Sequence, residues 1–249
     1  MIGSTQENAM KTMSRQDPQN LLLAELSLGD RTRLEKELEL VALPRAKVLC
    51  EAGSTPSYVY FPTTSIISLL HITSQGGTSE VAVVGNEGVV GLSLFTGGTA
   101  PPEQTKVQTA GEGYRLRADV AKEEVKRGGS MLNMLLRYTQ SLMAQMAQTA
   151  VYARHHSVEQ QLCRRLLMAI DRLPSDEMEM THEVLGDLLG VRRESVTNVA
   201  VKLQDAGVIR YTRGHIAVLD RVRLEQYASM NTTRVAKVRP RTFAMPCVA

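Results

Sequence analysis

The feature that most constrains this chain is a pair of predicted helices joined by a glycine turn in residues 181–206. Thr181 can cap the first helix, because a threonine hydroxyl accepts a hydrogen bond from an orphan amide of the first turn. Gly190 follows that helix and tolerates the positive φ that a sharp turn needs. A second helix is predicted over residues 192–206, ending before Gly207. Both inner faces are apolar at helical spacing, through Val184, Leu185, Leu188 and Leu189, then Val196, Val199, Ala200 and Leu203.

A short hairpin is predicted directly after the second helix. Residues 208–211 and 215–219 form two strand-like runs on either side of Arg213 and Gly214. Two helices at a tight turn followed by a basic hairpin are typical of a winged helix-turn-helix, whose second helix enters the major groove of duplex DNA. The sequence therefore predicts duplex DNA as the partner. The alternative, a helical hairpin with a solvated basic face, does not account for the whole ordered pattern.

The second predicted helix presents residue types that recognise the edges of bases. Arginine pairs with guanine, glutamate accepts from cytosine, and asparagine pairs bidentately with adenine. We therefore expect base contacts from Arg193, Glu194, Thr197 and Asn198. Contacts to phosphate are expected from the hydroxyl and basic residues around them, which are Thr181, Arg192, Lys202, Arg210, Arg213 and His215.

Composition argues against several other classes of protein. The net charge of +3 is only mildly basic, so the clustering of arginine rather than total charge indicates nucleic acid. The three cysteines form no CxxC or other metal-ligand spacing, which argues against a disulfide framework or a metal site. No apolar run is long enough to span a bilayer and no signal peptide is recognisable, so we expect a cytoplasmic protein without a membrane partner. Residues 1–20 and 230–249 are polar or basic, and we expect both to be disordered.

Residues 21–128 are predicted to form an antiparallel β-roll, similar to a jelly roll, with flanking helices. Residues 21–40 have the pattern of one or two short amphipathic helices. From residue 41 to about 119, short β-rich runs alternate with turn residues, which is typical of antiparallel barrels and sandwiches. The predicted strands are residues 47–51, 58–61, 66–72, 80–84, 106–108 and 114–116, and a short helix follows at 120–126.

A long helix is predicted over residues 130–155, within a dimerisation segment that spans 129–156. Apolar and small residues recur along it at steps of four and three, the heptad-like pattern that pairs one helix with another. The predicted seam of a parallel homodimer is Leu135, Thr139, Leu142, Met146 and Thr149, flanked by Leu132, Leu136, Met143 and Ala150. The stripe could also pack on the chain's own β domain. The DNA-binding domain, 157–229, is predicted to begin with a capping box formed by Ser157 and Gln160.

A β-roll, a long helix and a winged helix-turn-helix in this order resemble the CRP/FNR superfamily of bacterial transcription regulators. The resemblance covers roughly residues 25–228 and is strongest in 181–227. The residues that carry it there are Gly190, Arg193, Glu194, Val196, Leu203, Gly207, Ile209, Ile216, Asp220 and Leu224. The resemblance implies an α+β fold, a homodimer on a palindromic operator, contact with RNA polymerase, and base contacts from Arg193 and Glu194.

Asn198 departs from the pattern of the superfamily, in which arginine is the commonest residue at this place. An amide side chain prefers adenine over guanine. We therefore expect an altered operator half-site at the one base pair that Asn198 reads. Arg193 and Glu194 are expected to keep the bases that the resemblance implies for them.

A second departure concerns the site that holds cyclic AMP in some members of the superfamily. That site needs a Gly-Glu pair and, further along the chain, an arginine that neutralises the cyclic phosphate. Here Leu92 replaces the glutamate after Gly91, and the segment expected to hold the arginine carries Glu103, which would repel a phosphate. The residues of this expected effector pocket are Gly91, Leu92, Ser93, Glu103 and Thr105. The departures predict a degenerate sensor domain that does not bind cyclic AMP; no cofactor is predicted, and the effector is left open.

Other functions and other sensing chemistries are weaker predictions. His71, His155 and His156 are expected to be ordinary packing or surface residues, and Cys163 is expected to be buried and inert. A constitutive DNA-binding dimer without an effector stays open as an alternative. A ligand-binding protein or enzyme with an incidental helix-turn-helix is the other alternative. Because no nucleophile–base pair or phosphate-binding glycine loop is recognisable, we do not expect an enzyme.

Overall fold

The computed structural model describes residues 20–96, 100–173 and 175–229. The predicted disordered segments fall almost entirely outside these ranges: only Asn20 of residues 1–20 is described, and none of 230–249. Within the described residues, no helix combines the length and the apolar character that a membrane span requires.

Two short helices, α1 (Leu21–Ala24) and α2 (Leu28–Leu34), begin the described chain. The side-chain oxygen of Asn20 caps α1 by accepting from the backbone amides of Leu22 and Leu23. Its side-chain Nδ2 donates to the Pro62 and Gly88 carbonyls at 2.9 and 2.8 Å. The predicted helical segment 21–40 ends too late, because its last residues belong to strand β1 (Glu39–Leu43). β1 pairs with a strand more than 60 residues away, and this tertiary pairing outweighs local helix propensity.

The β-roll consists of two antiparallel sheets with their apolar faces turned inward. Strands β1, β7 (Gly111–Arg117) and β3 (Tyr58–Pro62) form one sheet in the order β1-β7-β3. The other has the order β2-β6-β4-β5 and is formed by β2 (Val48–Cys50), β4 (Ile66–Ile72), β5 (Thr78–Val84) and β6 (Glu103–Thr109). The predicted antiparallel roll and its six predicted strands are therefore confirmed, with β6 and β7 longer than predicted.

Helices α3 (Ala118–Lys126) and α4 (Ser130–His155) follow the roll, and α4 has the bounds predicted for the long helix. The first half of α4 lies on the core of the roll, where Met131, Met134, Leu135 and Tyr138 are buried. Asp30 of α2 fixes the start of α4 by accepting from the Ser130 amide at 2.8 Å and from the Ser130 hydroxyl. The Ser130 hydroxyl is the main reason that the pKa of Asp30 falls to about 2.

The described residues of the C-terminal domain form four helices and a small antiparallel sheet. It begins at α5 (Val158–Ile170), where Ser157 and Gln160 form the predicted capping box. The remaining elements are β8 (Glu177–Glu179), α6 (His182–Leu189), α7 (Arg193–Asp205), β9 (Ile209–Thr212), β10 (His215–Val218) and α8 (Arg221–Ser229). The sheet order is β8-β10-β9, so the predicted hairpin, β9–β10, gains a third strand, β8, which was not predicted.

The two domains share a buried interface. Ile66, Leu70 and Val83 of the roll belong to the apolar cluster of the C-terminal domain. At the same interface the buried guanidinium of Arg165 on α5 places its Nε 2.7 Å from Glu80 Oε1 on β5. The neighbouring residues Ser68 and Gln108 complete this polar cluster, because each is hydrogen-bonded to Glu80 or Arg165. The roll therefore sets the orientation of the C-terminal domain.

Candidate nucleic-acid interface

The turn between α6 and α7 has the geometry that the sequence predicts. Thr181 caps α6, with its hydroxyl accepting from the Val184 amide at 3.2 Å. Gly190 ends α6 in the left-handed region, at φ +66°. Gly186 lets the turn between the two helices approach α6 closely, because a Cβ at this position would lie 2.9 Å from the Val191 carbonyl oxygen. The tight turn that these glycines allow packs α7 against α6 and leaves the outer face of α7 exposed.

Helix α7 buries one face and exposes the opposite one. Val196, Ala200 and Leu203 are buried in the core of the domain. A helix turns about 100° per residue, so the opposite direction is occupied by a stripe of four residues. This stripe consists of Glu194, Asn198, Val201 and Asp205, and all four are exposed. Arg193, at the first turn of α7, is also exposed. Three of the predicted base-contacting residues, Arg193, Glu194 and Asn198, are therefore presented together to solvent.

Thr197, the fourth predicted base-contacting residue, is half-buried and engaged within the protein. Its hydroxyl donates to the Arg193 carbonyl and lies 3.0 Å from His182 Nδ1. Because that hydroxyl proton is already used, His182 Nδ1 carries the proton that joins the two side chains. The His182 ring stacks on Tyr211 of β9 at 4.0 Å between ring centroids. Thr197 therefore links α6, α7 and the hairpin, and its hydroxyl can reach a base only as an acceptor, so the expected base contact stays a prediction.

His182 is kept neutral by its surroundings. Burial lowers its pKa, and the nearby charge of Arg193 lowers it further. Its Nε2 is buried without a hydrogen-bond partner among the described residues, so a proton there would be unsatisfied. The neutral ring therefore suits its packing between Thr197 and Tyr211.

The residues predicted to contact phosphate differ in whether an acidic side chain lies near them. Arg192, at the N-cap of α7, and Arg213, at the tip of the hairpin, are exposed. Arg210 and His215 are exposed on the hairpin, each 3.5 Å from a glutamate of β8. Lys202 is also exposed, but its Nζ lies 2.9 Å from Glu159 on α5, and this partner raises its pKa; the expected phosphate contact stays a prediction. Lys202 therefore ties α7 to α5 within the domain.

The residues of the expected effector pocket line a single cavity in the roll. Gly91, Leu92, Ser93, Glu103 and Thr105 all face a space of about 130 Å³. Aromatic and aliphatic side chains, including Tyr58, Tyr60, Leu142 and Met146, form most of the remaining wall. The Ser93 hydroxyl is buried without a hydrogen-bond partner among the described residues. The cavity is smaller than pockets for drug-sized ligands, which measure about 300–1,000 Å³.

The predicted dimer seam is partly directed into the chain itself. Leu135 lies in the core of the roll, and Leu142 and Met146 line the cavity. The large apolar residues that α4 leaves exposed are Leu136, Met143 and Val151, which are 60%, 65% and 53% exposed. The exposed apolar face of α4 therefore includes Leu136 and Met143, which we had expected to flank the seam. Thr139 and Thr149, the other predicted seam residues, are half-buried and bond to their own helix.

His156 and Cys163 occupy structural positions, and His71 and His155 lie at the surface. His156 caps the C-terminus of α4 and packs edge-on against Tyr152, with a pKa lowered mainly by burial. Cys163 is fully buried in α5, and burial raises the pKa of its thiol to about 12, which disfavours the reactive thiolate. His71 is exposed near the end of β4, and His155 is exposed at the end of α4.

Residues 160–227 match a family model described as a Crp-like helix-turn-helix domain. The matched segment contains α6, α7 and the β9–β10 hairpin, and with them every candidate base contact. No curated protein matches the chain.

Solved structures resemble the chain over most of its length. A putative transcriptional regulator of the CRP/FNR family from Eubacterium rectale is 16% identical at a TM-score of 0.66, covering 83% of this chain and 97% of its own. FixK2 from Bradyrhizobium japonicum is 15% identical, also at 0.66, with coverages of 76% and 96%. A CRP-family transcriptional regulator from Thermus thermophilus is 18% identical at 0.64, with coverages of 76% and 96%. These likenesses confirm the predicted fold.

Proposed function

We propose that this chain, which has the CRP/FNR regulator fold and a Crp-like helix-turn-helix domain at residues 160–227, is a sequence-specific DNA-binding transcription regulator. The observation that carries the proposal is the exposed face of α7. Glu194 and Asn198 lie on this face, and the opposite face is buried in the core of the domain. Polar side chains on one exposed face of a recognition helix match the donor and acceptor pattern of the major groove.

In this proposal the exposed residues divide into two roles. Arg193, Glu194 and Asn198 read bases, with Asn198 favouring adenine. Thr181, Arg192, Arg210, Arg213 and His215 hold phosphates. The Thr181 hydroxyl accepts within α6 and so keeps its proton for a phosphate oxygen. Contacts of the second kind make the affinity sensitive to salt.

We propose further that the chain acts as a homodimer through α4. Leu136 and Met143 are exposed and separated by one heptad, so they lie on the same side of the helix. Ala150 continues this line by another heptad and is also exposed. An exposed apolar line of this length on a 26-residue helix is stabilised when a second copy covers it. A dimer also places two recognition helices on successive major grooves.

The cavity in the roll supports a degenerate sensor domain. Glu103 adds a carboxylate to its wall, and Leu92 replaces the glutamate that a cyclic-nucleotide site would use. A cyclic phosphate would meet negative charge there, in a space well below the volume of ordinary ligand pockets. These features favour either a small effector of different chemistry or a DNA-binding dimer without an effector.

Cyclic AMP is expected to leave the melting temperature of the purified protein unchanged. A ligand at 100 times its Kd stabilises the folded state by about 2.7 kcal/mol, so binding would be visible in thermal unfolding. A rise in melting temperature with cyclic AMP but not with adenosine 5′-monophosphate would contradict the degenerate site. The same assay with a panel of small molecules separates a sensor from a constitutive dimer.

Selection of binding sites from random duplex DNA tests the proposed function. The expected product is an inverted repeat whose half-sites are centred about 10–10.5 base pairs apart or a multiple of this distance. Each half-site should carry adenine at the position that Asn198 contacts. Recovery of sequences without any common motif would contradict the proposal.

A further inference from the structure

Val201 is an apolar residue on the exposed face of α7, between polar neighbours. It is 51% exposed, whereas Val196 and Leu203 on the opposite face are fully buried. Val201 lies seven positions after Glu194, which is about two helical turns, so the two side chains lie within about 20° of each other around the helix. Asn198 lies one turn before Val201 on the same face. An element that enters the major groove with Glu194 and Asn198 therefore brings Val201 in with them.

The groove offers one apolar group to such a side chain. Guanine, cytosine and adenine present only donors and acceptors in the major groove, whereas thymine also presents its C5-methyl group. If the isopropyl group of valine is buried against a donor or acceptor of a base, that donor or acceptor is left without a hydrogen bond. Against a methyl group, the isopropyl group gains van der Waals contact and no hydrogen bond is lost. The methyl of thymine is therefore the base-edge feature that matches Val201.

Neighbouring residues limit which side chains act at this end of the helix. Lys202 is held by Glu159 on α5, at 2.9 Å, and so is directed along the domain rather than into the groove. Asp205, the next residue of the exposed stripe, carries a carboxylate that DNA phosphates repel. Val201 is thus the last residue of the stripe whose chemistry suits the groove.

We propose that Val201 is a specificity-determining residue that contacts the C5-methyl of a thymine beyond the base pair read by Asn198. The inference rests on the proposed function and names a base that the polar residues of α7 do not read. It predicts that the operator contains a thymine whose methyl contributes to affinity.

The test replaces each thymine of the selected operator, one at a time, by deoxyuridine, which removes only the methyl group. Burial of a methyl changes affinity by about fourfold. We therefore expect one thymine in each half-site at which deoxyuridine weakens wild-type binding about fourfold. The Val201→Ala variant should bind the thymine operator more weakly and lose this sensitivity to deoxyuridine. Alanine is the best helix former, so the exposed substitution leaves the fold intact.

Val222→Ala provides the matched control. Val222 is 65% exposed and lies on α8, outside the α6–α7 pair. This variant should keep both wild-type affinity and the response to deoxyuridine. If no thymine responds in the wild type, or if Val201→Ala responds as the wild type does, the inference is overturned while the selected operator upholds the proposed function. If the wild type selects no operator at all, the proposed function fails and the inference fails with it.

Discussion

Replacing Arg193 by alanine is expected to reduce strongly the preference of the protein for its operator. Arg193 is exposed at the first turn of α7, where an arginine can pair with guanine through two hydrogen bonds. Each such contact is worth about 1–3 kcal/mol of discrimination, and a dimer loses two of them. Discrimination should therefore fall by about 2–6 kcal/mol, or at least about 30-fold.

The measurement is the ratio of affinities for the selected operator and for a scrambled duplex at one salt concentration. Arg213→Ala is the matched control, because it also removes one exposed arginine but at the tip of the β9–β10 hairpin. A phosphate contact carries no sequence information, so this control should weaken both affinities by a similar factor. An unchanged ratio for Arg193→Ala would exclude Arg193 as a base-reading residue.

Replacing Glu80 by leucine is expected to destabilise the protein by about 3–5 kcal/mol. Glu80 and Arg165 form a buried ion pair between the roll and α5, with side chains only 8% and 4% exposed. Removal of one partner leaves the other charge buried and uncompensated, which is the costly case for buried ion pairs. Burial already lowers the pKa of Arg165, although its guanidinium stays charged at ordinary pH.

Urea unfolding of Glu80→Leu, of Arg165→Met and of the double variant measures the coupling between Glu80 and Arg165. Glu80→Leu combined with Arg165→Met should recover most of the lost stability, because the double change leaves no buried charge. Glu39→Leu is the matched control, since Glu39 pairs with Arg115 at the surface and such pairs contribute about 0–1 kcal/mol. An equal loss in the free energy of unfolding for Glu80→Leu and Glu39→Leu would contradict a structural role for the buried pair.

Local signals explain how much of the DNA-binding domain could be predicted from the sequence. Thr181, Gly190 and the capping residue Ser157 act within one turn of the backbone they cap, so sequence spacing alone locates them. The alternation of buried and exposed positions in α7 likewise depends only on helical period. For this reason the bounds of α4 and α7, and the exposure of Arg193, Glu194 and Asn198, follow from the sequence.

Features that depend on distant residues could not be predicted in the same way. Strands β1 and β8 are short, and each forms because it pairs with a strand distant in sequence, β7 and β10 respectively. The bond between His182 and Thr197 joins two helices that are separated by a turn, and no local pattern indicates it. Periodicity along α4 could not decide which apolar residues face the roll. Leu135 and Leu136 are neighbours, yet one is buried in the roll and the other is exposed.

We propose that two copies of this chain read two half-sites on one face of duplex DNA. Inserting five base pairs between the half-sites of the selected operator tests it most directly, because half a helical turn moves one half-site to the opposite face. The proposed dimer predicts that the affinity then falls to that of a single half-site, while the same insertion outside the repeat changes nothing. An affinity that is unaffected by the internal insertion would contradict the claim.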